Sequence, residues 1–289
     1  MLVAMRNTTD AMGPPSPPGH ACWVYGSDEE RCAFDEGVVA FLSEGRARGE
    51  RLVVVTDSRL ADGRPGGRPV DLTPLGDVIA MTERGELVMH DLADLAAGGG
   101  PVDQERQLAV LRRSVEAALA AGWSGVRLVW EASSQVADPD WCDDHVTWEQ
   151  RVGHLVLDQP LVMMCAYDER VIGAEVADAL ASVHPRRSGR AATFGVYPCL
   201  GGVAVEGEVD ACQAPLLERA LATLPPDGPV TLDAAGATFF DAAATGVLAS
   251  FAAHRAERGS EVRVRSAGPA LARLWDMFGF TETRAVRFL

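Results

Sequence analysis

Apolar runs alternate with helical patterns through the first two thirds of the chain. Strands are predicted at 21–25, 51–56, 86–89, 126–130 and 161–167. Between them, apolar residues recur at helical spacing and predict helices near 28–44, 103–121, 146–158 and 173–182. Strands that are apolar throughout are typical of a parallel sheet covered on both faces. The alternation therefore predicts an α/β domain.

A second alternating pattern follows a short segment, 184–190, that contains proline, glycine and three arginines. Strands are predicted at 193–198, 202–205, 230–233 and 261–265, and helices at 212–223, 242–258 and 269–278. We therefore predict two α/β domains, at 18–187 and 192–289, joined by a linker at 188–191. Residues 1–17, rich in proline, glycine and serine near their end, are expected to form a disordered lead-in.

The basic residues narrow the classes of function. All 26 are arginine, because the 289-residue chain contains no lysine. A Walker A phosphate loop, a pyridoxal Schiff base and a protein kinase each need a lysine, so these classes are excluded. The net charge of −15 disfavours nucleic acid as a partner.

The remaining composition indicates a cytoplasmic protein. The chain has no apolar stretch of membrane-spanning length and no signal-peptide core near its start. Its six cysteines are spread out without a CxxC pair, which is typical of reduced thiols. We expect no membrane association.

The last hundred residues contain motifs in a recognisable order. They are Gly-Glu-Val-Asp at 207–210, a strand ending at Asp233, Phe-Phe-Asp-Ala-Ala-Ala-Thr-Gly at 239–246, and a final helix before Gly279. This order resembles the STAS domain of anti-sigma-factor antagonists. The resemblance implies docking onto an ATPase-type anti-sigma kinase, or onto another STAS protein, around Asp210, Asp241, Ala243 and Thr245.

The phosphorylation switch of that family is altered here. The family has serines one and two residues after the aspartate, whereas this chain has Ala242 and Ala243. Alanine cannot carry a phosphate, so we predict that the standard phospho-serine switch is absent. Thr245 is a possible substitute acceptor, and a local capping or packing role is the more common one for such a threonine.

The first domain resembles the MEDS sensory domain. The similarity rests on 20–25 (His-Ala-Cys-Trp-Val-Tyr), Trp130-Glu131, Trp148-Glu149, 165–168 (Cys-Ala-Tyr-Asp) and His184-Pro185. It implies a RecA-like core without nucleotide hydrolysis. The turn at 25–30 agrees, since it has one glycine and three acids where a phosphate loop would lie.

Several residues of this domain are candidates for ligand sensing: His20, Cys22, Tyr25, Glu131, Glu149, Cys165, Asp168 and His184. Two histidines and two cysteines among them (His20, Cys22, Cys165, His184) could bind a metal. Their wide spacing favours ordinary buried roles, so we predict neither a metal nor a cofactor. Glu131 and Glu149 could pair for acid–base work. An acidic stretch, formed by Asp138, Asp140, Asp143, Asp144 and His145, could bind a hard cation, although a solvated acidic loop is more common.

Together these observations predict a non-enzymatic signalling protein that regulates transcription indirectly. A sensory domain, with a small-molecule ligand or a partner, would control how a STAS module docks. We expect the ligand or partner to bias how the sensory domain packs on the STAS face around Asp210, Asp241 and Thr245. A scaffold subunit of a STAS assembly, separable by sizing, and a small-molecule-processing enzyme are the alternatives.

Overall fold

The computed structural model describes residues 19–56, 70–95, 103–138, 141–189, 193–280 and 286–289. The predicted lead-in at 1–17 and Asp140 of the acidic stretch lie outside the described residues. The described part contains two sheets, in agreement with the predicted α/β class.

The first sheet has six parallel strands in the order β3-β2-β4-β5-β1-β6. Its strands are β1 (His20–Tyr25), β2 (Arg51–Thr56), β3 (Leu87–Asp91), β4 (Val126–Glu131), β5 (Leu161–Asp168) and β6 (Arg186–Ser188). The central strands β4 and β5 are buried almost throughout, which explains their continuous apolar sequences.

Helices cover both faces of this sheet. They are α1 (Asp28–Ala47), α2 (Val78–Glu83), α3 (Leu92–Leu95), α4 (Gln104–Ala120), α5 (Cys142–Asp158), α6 (Glu169–Ile172) and α7 (Ala174–Ser182). The side chain of Ser27 caps α1, which buries Phe34, Val38 and Leu42 against one face. The apolar sides of α4, α5 and α7 cover the other face.

The second sheet has five strands in the order β11-β10-β9-β8-β7. Its elements are β7 (Phe194–Cys199), β8 (Gly202–Val209), α8 (Ala214–Ala222), β9 (Val230–Phe240), α9 (Ala242–Glu257), β10 (Val262–Arg265), α10 (Pro269–Met277) and β11 (Val286–Phe288). Strand β7 is antiparallel to β8, and the remaining pairs are parallel. The apolar core under α5 and α7 continues without interruption into this domain.

Two short strands differ from the sequence prediction. Strand β6 lies inside the segment read as a domain boundary, and Ser188, placed at the start of the linker, still pairs with Trp23. Strand β11 closes the second sheet beside β10 and was not predicted. Within the described residues, no helix is long and apolar enough to cross a membrane.

Candidate functional site

The candidate ligand-sensing residues fall into two groups on opposite sides of the first sheet. His20, Glu149, Cys165 and His184 converge on the face covered by α5 and α7; we call these four residues the buried cluster. Tyr25, Glu131 and Asp168 instead end three neighbouring strands. All seven residues were candidates from the sequence. The sequence could not show which of them lie together, because that depends on the order of the strands in the sheet.

The buried cluster brings four different elements to one point. His20 opens β1, Cys165 lies in β5, Glu149 lies on the inner face of α5, and His184 follows α7. Each of the four residues is at most 2% exposed. One donor atom from each residue lies within 4.8 Å of the other three. The fold therefore brings together four residues that lie far apart in the sequence.

One carboxylate oxygen stands at the centre of this arrangement. Glu149 Oε2 lies 3.1 Å from His20 Nε2, 3.4 Å from His184 Nε2 and 3.3 Å from Cys165 Sγ. Cys165 Sγ lies 3.5 Å from His20 Nε2. Three potential ligand atoms therefore face a single oxygen.

Further residues orient the cluster from outside. The hydroxyl of Tyr167 donates a hydrogen bond to Glu149 Oε1, and His145 Nε2 lies 2.9 Å from that hydroxyl. His184 Nδ1 lies 2.7 Å from the carbonyl oxygen of Leu180. Since only a protonated nitrogen can bond to a carbonyl, Nδ1 carries a proton, and Nε2 is the ring nitrogen that faces the cluster.

The electrostatics of this site favour the ionised form of the Glu149 carboxyl group. Burial, together with the nearby His184, lowers the pKa of His20 to about 4, so this imidazole is neutral at pH 7. Burial opposes ionisation of Glu149, but its histidine neighbours outweigh that effect and hold its pKa well below the usual range. Burial, then Glu149, raises the pKa of the Cys165 thiol. Among the described contacts of Glu149, none comes from an arginine.

Cys22 is buried beside the cluster but does not belong to it. It pairs in register with Cys165 and lies in the same apolar core, yet its sulfur is not among the four converging donors. Glu149 takes the place that the sequence analysis gave to Cys22. Two sequence signals could have predicted the residues around Glu149. His145 and Glu149 are one helical turn apart, and Cys165 and Tyr167 are two residues apart on one strand.

The second group lies at the carboxyl ends of β1, β4 and β5. Ser133 links two of its members, because its hydroxyl contacts Glu131 and accepts a hydrogen bond of 2.7 Å from the Asp168 amide. Arg31 Nη1 donates to the Tyr25 hydroxyl at 2.9 Å. Glu131 and Glu149 thus have separate partners and do not form the carboxylate pair considered from sequence.

The turn after β1 differs from a phosphate-binding loop in its contacts as well as its sequence. The amide of Gly26 donates to the Glu30 carboxylate at 2.7 Å, and Ser27 caps the helix. Protein carboxylates and hydroxyls therefore occupy amides that a phosphate would need. This arrangement agrees with the absence of a lysine.

The start of α9 carries the predicted docking residues of the second domain. Asp241 caps the helix by accepting a 2.9 Å hydrogen bond from the amide of Ala244. Its own amide bonds to Val209, which places the loop containing Asp210 alongside. Ala243 is exposed, whereas Thr245 is fully buried and its hydroxyl donates to the Asp241 carbonyl at 2.7 Å.

Among the described residues, the two domains meet at β7 and α8. The side-chain amide of Gln150 in α5 donates to the Val196 carbonyl of β7 at 2.6 Å. Arg219 of α8 forms a 2.8 Å ion pair with Asp143 of α5. These contacts involve β7 and α8, and a ligand effect on packing around Asp210, Asp241 and Thr245 stays a prediction.

Fold and site together define a class: a two-domain regulatory chain whose first domain encloses a buried polar centre. Comparison with protein families agrees. Residues 19–185 match the family described as MEDS, the methanogen/methylotroph, DcmR sensory domain, and residues 201–287 match the family described as Mlab, STAS domain. The chain belongs to the MEDS family, and it carries a STAS domain after the sensory domain. No curated protein gives a match. Both families are sensory or regulatory rather than enzymatic.

Proposed function

We propose that this protein is an anti-sigma-factor-antagonist-like signalling protein whose STAS domain docks through the start of α9. The partner is an ATPase-type anti-sigma kinase or another STAS protein. Exposed Ala242 and Ala243, and the half-exposed ring of Phe239, form an uncharged surface beside the Asp241 cap. We call Phe239, Ala242 and Ala243 the docking surface.

In the proposed mechanism, the docking surface is not controlled by phosphorylation. Neither exposed alanine can accept a phosphate, and the hydroxyl of Thr245 is buried and bonded to the helix backbone. A kinase would have to unwind the first turn of α9 to reach that hydroxyl. The docking surface is therefore held in a state equivalent to the unphosphorylated one.

The observation that carries the proposal is the position of α5. This helix directs Glu149 into the buried cluster and, from the next residue, Gln150 onto β7 of the STAS domain. Gly153, one turn later, packs so closely on Pro198 of β7 that a side chain there would collide. A ligand that shifts α5 must therefore also disturb β7, the edge strand of the second sheet.

The test adds a negative charge to the docking surface. Ala243→Glu mimics the charge of a phosphoserine, and it should weaken binding of the full chain to its anti-sigma kinase at least about tenfold. The fold should tolerate it, because acids near a helix N-terminus are stabilising by about 0.3–1 kcal/mol. Isothermal titration of purified kinase against wild type and variant measures the change.

The matched control is Ala253→Glu, which adds the same charge at an exposed alanine near the other end of α9. This variant should bind like the wild type. Equal binding by Ala243→Glu, or equal losses in both variants, would place the docking surface elsewhere. If no anti-sigma kinase or STAS protein binds the wild type, the proposed function is wrong.

A further inference from the structure

We infer that the buried cluster is a divalent transition-metal site of the zinc class, with His20, Glu149, Cys165 and His184 as its four ligands. The inference names the ligand of the sensory site. It rests on the proposed function only for the ion's role as a signal, and binding of the ion is tested on its own.

The spacing of the donor atoms fits a tetrahedral ion. Zinc–ligand bonds of about 2.0–2.3 Å at tetrahedral angles place neighbouring ligand atoms roughly 3.3–3.6 Å apart. Four of the six distances among Glu149 Oε2, His20 Nε2, Cys165 Sγ and His184 Nε2 are 3.1, 3.3, 3.4 and 3.5 Å. The donor atoms of the four residues all lie within 4.8 Å of one another. These four separations are therefore close to the ligand–ligand distances of a tetrahedral zinc site.

The hydrogen bonds of His184 and Glu149 have the form that metal ligands require, whereas Nδ1 of His20 is buried without a hydrogen-bond partner. A ligating histidine typically donates its other ring proton to a carbonyl or carboxylate, and His184 does so to Leu180. The Nε2 of His184 is buried without a hydrogen-bond partner and faces Glu149. Tyr167 holds the other carboxylate oxygen, Oε1, and leaves Oε2 directed at the ligand atoms.

Charge balance also favours an ion. A carboxylate in a fully buried site is costly unless a cation compensates its charge, and among the described contacts of Glu149 no arginine does so. A divalent ion, one carboxylate and one thiolate sum to zero, with both histidines neutral. Binding releases the thiol proton of Cys165 to solvent.

The donor types select the metal. A thiolate and two imidazoles disfavour magnesium and calcium, which prefer oxygen ligands, whereas zinc accepts sulfur, nitrogen and carboxylate oxygen together. Copper(II) would bind such a set tightly but tends to oxidise a thiolate. We therefore commit to zinc, with cobalt(II) as its spectroscopic substitute.

The experiment uses the tag-free full chain. Metal content is measured by mass spectrometry after purification, and zinc affinity by competition with a chromophoric chelator. The variants are Cys165→Ser and, as the matched control, Cys22→Ser, which alters an equally buried neighbour outside the ligand set. Circular dichroism checks the fold, and the cobalt-substituted wild type is examined for thiolate-to-cobalt absorption.

We expect one zinc per wild-type chain, a similar content in Cys22→Ser, and at least about tenfold weaker binding in Cys165→Ser. The thiolate–cobalt band should appear in the wild type, which keeps the test informative if Cys165→Ser fails to fold. The inference is overturned by a wild type that takes up no zinc. It is equally overturned by a metal content that Cys165→Ser leaves unchanged or that Cys22→Ser also removes. Docking measured on the same samples reports separately on the proposed function.

Discussion

At the scale of single residues, the proposed docking surface has Ala242 and Ala243 where the anti-sigma-factor antagonists that the second domain resembles have serines. Ala243 is the second residue of α9, exposed, and close to the Asp241 cap. The environment that would receive a phosphorylated serine is intact, because the helix N-terminus attracts negative charge. What is missing is the acceptor itself, while the hydroxyl of Thr245 is used within the helix.

Restoring that acceptor should restore the switch. We expect Ala243→Ser to take up labelled phosphate from its anti-sigma kinase with ATP, whereas the wild type stays unlabelled. Autoradiography of the two full-length chains, with Ala253→Ser as an exposed control on the same helix, measures the difference. Label on the wild type that disappears in Thr245→Ala would show instead that Thr245 is a displaced phospho-acceptor.

At the scale of elements, α5 is the structural link between the buried cluster and the STAS domain. Its contact with β7 is close because Gly153 carries no side chain: a Cβ there would lie 2.8 Å from Pro198 Cγ. A proline ring in a paired strand has little freedom to move away. The absence of a side chain at this position is therefore a requirement of the interface.

Two glycine substitutions in helices should have opposite effects on stability. Gly153→Ala should destabilise the chain by about 1–3 kcal/mol through overpacking against β7. Gly246→Ala in α9, where a Cβ meets nothing within 4 Å, should stabilise it by up to about 1 kcal/mol. Urea unfolding of both variants measures the free energies. A stabilising Gly153→Ala would mean that β7 is not held against α5.

The elements with strong periodicity were predictable, and the weak ones were not. Strands such as β5 show a continuous apolar run, whereas β6 is an edge strand of three residues with two arginines and no apolar pattern. The chemistry of the buried cluster was visible as soft ligands in sequence. The sequence did not show which residues belong to the cluster, because Glu149 meets His20 only through the packing of α5 against β1 and β5.

At the scale of the whole molecule, one continuous core joins the two domains, which gives a physical route for coupling between the buried cluster and the STAS domain. Linkage is reciprocal: if zinc alters the affinity for the STAS partner by some factor, the partner alters the zinc affinity by the same factor. Couplings of this kind typically amount to about 1–3 kcal/mol, or about five- to 150-fold.

We therefore expect the dissociation constant of the full chain for its anti-sigma kinase to differ at least about fivefold between zinc-loaded and chelator-treated protein. Gln150→Ala removes the hydrogen bond from α5 to Val196 but none of the four ligands. This variant should keep its zinc, which metal analysis checks. It should lose most of the difference in kinase affinity between zinc-loaded and chelator-treated protein. Titration calorimetry of wild type and variant, each with and without zinc, measures that difference. Equal affinities in the wild type with and without zinc would make the ion a structural component. A Gln150→Ala variant that keeps the full difference would show that the coupling runs through contacts other than this hydrogen bond.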